Sequence, residues 1–214
     1  SFFSLCCCSV LLIIFTKRIR KIKLLSSIFF VISSIIILIT VPSVKSRLID
    51  ATINQIGFKD SNIHIFTEIH ERHYRSAYKM FNQNIILGVG PKMFRETCKD
   101  FKTYTEEDLS VDGCQTHPHN TYIQLFVETG IIGTLPIIIL FCFILSSFSK
   151  HLYFMIFKKR PIYSDYQICL MTAIFITLWP LVPNGNFFNN WINVIYFLPL
   201  GFLLHSFNKH SINQ

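Results

Sequence analysis

The strongest constraint on this chain is a run of charge-free apolar residues that recurs along its length. Residues 24–44 carry no charge and have the length of a membrane-crossing helix, about 20 residues. Residues 131–148 are also uncharged, and the apolar run extends back to Tyr122 with Glu128 as its one charge. Residues 166–182 and 191–204 are shorter and uncharged. Residues 1–16 form a fifth apolar stretch that opens on Ser1 rather than Met and looks cut. The chain is therefore expected to be the C-terminal part of a longer protein. Helices that are hydrophobic all round and this frequent belong in lipid rather than in a soluble core. Composition agrees: 15% of the residues are charged, against about 25% in soluble domains, and 22 are Phe. The expected fold is an all-α polytopic membrane protein with about five transmembrane helices.

A net charge of +8 raises nucleic acid and anionic lipid as partners, and the placement of the charges separates them. Lys17, Arg18, Arg20, Lys21 and Lys23 lie between the first two apolar stretches with no acid among them. Lys150, Lys158, Lys159 and Arg160 lie between the third and fourth, accompanied by Asp165, and Lys209 is in the tail. All three segments fall on one side of the membrane, which the excess of Lys and Arg makes cytoplasmic. Residues 42–120 and the short turn 183–190 fall on the other side. The long stretch holds ten Lys/Arg and ten Asp/Glu, a net charge of zero. The excess positive charge thus belongs to the cytoplasmic edge of the membrane lipid, and no nucleic-acid partner is expected. Three segments follow: two N-terminal spans with a basic loop over 1–44, an external loop over 45–120, and three spans with a short tail over 121–214.

Five of the seven cysteines, Cys6, Cys7, Cys8, Cys142 and Cys169, sit in apolar stretches, where a thiol acts as a small hydrophobe. Cys98 and Cys114 share the external loop, where an oxidising compartment would let them pair. The closed loop of about 15 residues is worth roughly 3 kcal/mol in the chain-entropy view. No Cys-x-x-Cys or Cys/His zinc spacing is present.

The external loop carries the chemistry. Residues 69–81 have the period of an amphipathic helix, with Tyr74, Ala77, Tyr78 and Phe81 on one face and Glu71, Arg72, Arg75 and Lys79 opposite. Such a helix is either a surface element with solvated charges or an interfacial one whose arginines meet headgroup-level anions. Arg is the side chain suited to bidentate phosphate binding. Then comes Ile85-Ile86-Leu87-Gly88-Val89-Gly90-Pro91-Lys92, a turn that lacks the Gly-Lys-Ser/Thr of a nucleotide loop. It is either a plain tight turn or a nest of amides for phosphate.

The stretch Cys114-Gln115-Thr116-His117-Pro118-His119-Asn120-Thr121-Tyr122 is the most informative. Asn120 is suited to cap the helix that follows. His119 then stands just before a helix N-terminus, which attracts anions and disfavours imidazolium. A neutral His beside an anion site is what a general base for a hydroxyl nucleophile requires. The alternative is a His that hydrogen-bonds its own loop. Metal ligation by His117 and His119 lacks a carboxylate at metal-site spacing. Glu128 lies two turns further on, where a buried carboxylate is paired or functional. Gly130 and Gly133 permit close helix approach, and Pro136 is placed to kink the span.

These residues resemble the O-antigen ligase/polymerase family of bacterial inner-membrane proteins. The resemblance is carried by Leu87-Gly88-Val89-Gly90-Pro91 with Phe94-Arg95, by His117-Pro118-His119-Asn120-Thr121-Tyr122-Ile123-Gln124, and by Glu128-Thr129-Gly130-Ile131-Ile132-Gly133. It covers about residues 65–150, and the flanking spans in topology only. It implies a glycosyltransferase that works at the periplasmic face without metal or cofactor. The donor would be a glycan on undecaprenyl diphosphate, and the acceptor a growing glycan or a lipid A core sugar. His119 matches the family His, with His117 orienting it or the donor. The family places an Arg in the helix before the glycine turn, followed by a Trp. Here Arg72 and Arg75 both qualify, with Tyr74 and Tyr78 as the aromatics. Arg95, Asn120, Gly88, Gly90 and Glu128 would contact substrate. Earlier family positions lie outside this chain, so the chain alone is expected to be inactive. A secondary transporter or lipid-linked-sugar flippase is the alternative, with Glu128 lining its pathway, and an envelope scaffold is a third reading.

Overall fold

The computed structural model describes residues 2–16, 20–46, 68–99, 114–181 and 184–212. The regular structure among them is entirely helical. Lys17, Arg18 and the loop stretches 47–67 and 100–113 lie outside the described residues. Helix α1 is Phe2–Phe15, α2 is Arg20–Thr40 and α3 is the single turn Pro42–Lys45, which Pro42 opens at the position where a missing N–H costs nothing. Helix α4 is Glu68–Gln83 and α5 is Phe94–Cys98. Helix α6 is Thr121–Phe157, α7 is Asp165–Thr177 and α8 is Asn190–Ile212.

Local chemistry sets the boundaries. Asn120 caps α6 as expected, its side-chain oxygen accepting the N–H groups of Tyr122 and Ile123 at 3.0 and 3.1 Å. Ser164 and Gln167 form a reciprocal capping box at the start of α7. Within α6 the backbone breaks at Gly130 (φ 62°, ψ −164°), while Pro136 lies inside the helix. The break divides a short piece, residues 121–129, from a long one, residues 131–157, about 40 Å at roughly 1.5 Å per residue.

Helices α6 and α8 are long and apolar enough to cross a membrane. Only 22% and 17% of their most apolar windows are buried, the reverse of a soluble core helix. The apolar helices Cys6–Phe15, Leu24–Thr40 and Asp165–Thr177 are shorter.

Two cores organise the molecule. The larger joins α1, α6, α7 and α8 through Phe15, Ile144, Phe148, Ile168, Met171, Ile192 and Leu203. The smaller consists of Ala77, Met80, Phe94, Cys98, Cys114 and Val127, and holds α4 and α5 against the start of α6. The short piece of α6 serves both, with Leu125 in the first core and Val127 in the second.

The amphipathic helix extends slightly beyond the expected residues 69–81, but its buried face is rotated. His73, Ser76, Ala77 and Met80 are buried, whereas Tyr78, expected on the apolar face, is 66% exposed. Two polar residues occupy the inner face because α4 packs on a polar site, so hydrophobic period alone misplaced it.

The bundle has two distinct ends. At one, His151 near the end of α6 contacts the carbonyl of Phe15 through Nε2 at 3.3 Å and accepts the N–H of Tyr163 at 3.2 Å. The basic Lys158, Lys159 and Arg160 follow α6 there. At the other, the stretch before α6 meets the connection between α7 and α8. Asn120 donates its amide to the carbonyl of Pro180 at 2.6 Å, and the Tyr122 hydroxyl donates to the carbonyl of Leu178 at 2.8 Å.

Candidate active site

The site forms where the first turns of α4 meet the stretch leading into α6. His119 stands at its centre. Three other imidazoles surround it, with ring centroids at 4.2 Å for His117, 5.7 Å for His70 and 5.7 Å for His73. His70 also lies against Tyr74, their ring centroids 6.2 Å apart.

The backbone holds His119 in the left-handed region, with φ 58°. A non-glycine residue there is uncommon and is held by its surroundings. Two constraints hold it. Asn120 must be extended to cap α6, at φ −138° and ψ 126°. On the other side, the N–H of Asn184 donates to the His119 carbonyl at 2.9 Å.

His117 is fixed by both ring nitrogens. Nδ1 lies 2.9 Å from the Thr116 hydroxyl, and Nε2 lies 3.2 Å from the carbonyl of Asn184. A carbonyl only accepts, so Nε2 carries the proton and Nδ1 accepts from Thr116.

Burial, followed by the neighbouring His117, His73 and His70, lowers the pKa of His119 to about 4. His117 is also pushed down, mainly by burial, with the Asn184 carbonyl opposing. His70 is lowered by burial and by His73. His119 is therefore neutral near neutral pH, as expected, but the dominant cause is burial rather than the helix end alone.

The other expected residues are distributed unevenly. Arg72 is half-buried, and Arg75 and Arg95 are exposed. Gly88 and Gly90 have φ 70° and 105°. Their amides are engaged within the fold: Gly88 N–H donates to Asn84 O at 2.8 Å and Gly90 N–H to Glu128 O at 2.9 Å. Glu128 is fully buried, and its carboxylate accepts the Phe94 N–H at 3.0 Å and the Gln124 amide at 2.9 Å. It thus ties the start of α5 to α6 rather than facing a pathway. Cys98 and Cys114 form a disulfide with Cα atoms 5.5 Å apart, linking the end of α5 to the stretch that carries His117. Among the described residues, no group of three or more His, Cys, Asp or Glu is arranged to hold a metal ion.

Several residues of the site escaped the sequence reading. His70 and His73 stand three apart on a helix, a spacing that puts both on one face, but the apolar period drew the eye elsewhere. Asn184 and Asn186 lie in a turn with no periodic signal. Even so, Asn186 accepts from Gln124 at 2.9 Å, and Gln124 in turn accepts the N–H of Phe187 at 2.9 Å.

Beside the histidines, Tyr74, Ala77, Tyr78 and Phe81 of α4 face Ile123, Phe126 and Val127 of α6 across an apolar groove of about 280 Å³.

In comparison with known proteins, a family model described as O-antigen ligase matches residues 1–138. No curated protein and no solved structure matches the chain.

Proposed function

The chain belongs to the O-antigen ligase family, and from that premise we propose that it helps build surface polysaccharide at the periplasmic face of the inner membrane. Its donor is a glycan on undecaprenyl diphosphate, and its acceptor is a hydroxyl of a glycan or lipid A core sugar. The reading includes five spans, with the basic segments in the cytoplasm and the loop over 45–120 in the periplasm. The contacts of Phe15, His151 and Tyr163 at one end, and of His119, Asn120 and Asn184 at the other, support that two-sided arrangement.

The observation that carries the reaction is the neutral imidazole of His119, held in strained backbone beside three others. The acceptor hydroxyl oxygen attacks the anomeric carbon of the donor from the face opposite the phosphate. The bond from that carbon to the phosphate oxygen breaks, and the diphosphate leaves with the electron pair. His119 takes the hydroxyl proton. His117, its two nitrogens already engaged, orients His119. Diphosphate departs readily, so the remaining requirement is charge stabilisation. Arg72 is the better placed of the two candidates for it. Arg75 follows the buried His73 by two residues, about 200° round the helix, and is exposed. The apolar groove beside Tyr74 suits a prenyl tail.

The test is glycan transfer in vitro from a lipid diphosphate donor, with EDTA present. His119→Ala should lose about 10²-fold or more, the contribution of a general base, while remaining folded by thermal melting. Near wild-type turnover by this variant removes the assignment. Loss of wild-type turnover in EDTA, restored by a divalent ion, overturns the metal-free mechanism.

A further inference from the structure

Four imidazoles meet at His119, and the mechanism above uses two of them. His73 is fully buried and cannot touch a ligand. His117 has both nitrogens engaged. His119 must stay neutral to accept a proton. His70 is different. It sits in the first turn of α4, half-buried, with its ring at 88° to that of His119.

The charged and titratable groups around it are few. On α4 they are Glu71, Arg72, His73 and Tyr74, and on the stretch before α6 they are His117 and His119. Glu128 of α6 is occupied by Phe94 and Gln124. Crowded imidazoles exclude charge from one another, as the lowered pKa of His70 reflects. A bound anion reverses that balance, because it favours the protonated ring.

We propose that His70 is the conditional cation of the diphosphate site: neutral when the site is empty, and protonated from solvent as a dianionic diphosphate diester docks. The proton returns to solvent when the diphosphate leaves. His119 and His70 thereby divide the work, one imidazole staying basic and the other supplying charge only while the donor is bound. This rests on the reading of the site as a diphosphate site.

The probe is dimethyl diphosphate esterified once on each phosphorus, whose two charges do not titrate near neutrality. It is titrated calorimetrically into the full chain in detergent, between about pH 6 and about pH 8, in buffers of different ionisation heat. Wild-type protein should take up close to one proton, and its affinity should fall by up to about tenfold per pH unit on going alkaline. His70→Arg should bind with flat pH dependence and no proton uptake. His70→Ala should bind more weakly and also without the slope. A wild-type heat independent of buffer, a slope that survives in His70→Ala, or no binding by the wild type overturns the proposal. Failure of the glycosyl-transfer reading looks different: pH-linked binding of the diester persists while the wild-type protein transfers no glycan.

Discussion

At the scale of single residues, the site concentrates cost in a few square ångströms of chain. His119 combines a left-handed backbone with burial among three other imidazoles. All the resolved shifts in this cluster run downward, for His70, His117 and His119. The unfolded chain therefore binds protons first as pH falls through about 6.5, the ordinary histidine value. Stability from these groups is fully present above that value and declines on acidification, for His119 until about pH 4. Melting temperature should drop over that window and be flat just above it. A His119→Asn variant should show a shallower drop, and an unchanged one would separate the acid sensitivity from this residue. The His117-Pro118-His119-Asn120 string announced itself in the sequence because a cap, a proline and two imidazoles coincide there. His70 and His73 did not, because a histidine on a predicted helix reads as part of a polar face until another segment is folded onto it.

At the scale of elements, the joint between the glycine turn and the broken helix is the main construction of the catalytic half. Val89 and Gly90 donate to the carbonyls of Val127 and Glu128 at 2.8 and 2.9 Å, while Ile131 and Ile132 donate to Ile85 and Ile86 at 2.9 and 3.3 Å. The turn thus satisfies the groups that the break at Gly130 leaves open. Both glycines are required sterically. A Cβ on Gly88 would lie 2.5 Å from the backbone of Glu128, and one on Gly130 would collide with the carbonyl of Ile86. Gly88→Ala and Gly130→Ala should each cost at least about 2 kcal/mol, combining left-handed strain with overpacking, measured as lower melting temperature and yield. A melting temperature equal to wild type in either would mean that the joint yields. Both motifs were visible in the sequence, but not that one closes the other. Backbone hydrogen bonds between distant segments leave no periodic trace.

At the scale of the whole molecule, the larger core belongs to the bundle and the smaller one to the external elements, and residues 121–129 connect them. The apolar runs and the basic clusters were legible because lipid imposes length and charge rules on sequence. The helix ends were less so: α6 runs to Phe157 and α7 stops at Thr177, set by caps and side-chain contacts that hydropathy does not encode. The orientation can be tested with single cysteines at two exposed positions, Gln115 and Lys158, after replacing Cys6, Cys7, Cys8, Cys142 and Cys169. An impermeant thiol reagent applied from outside the inner membrane should label Gln115→Cys and spare Lys158→Cys, and the opposite pattern would invert the topology. The disulfide has a practical corollary. Cys98 and Cys114 pin the two ends of the intervening chain 5.5 Å apart, and lengthening a chain whose ends are already joined costs only about 0.6 kcal/mol per doubling. An affinity tag or fluorophore spliced between them would hang from a fixed clasp, leaving α5 and the His117 stretch where they are.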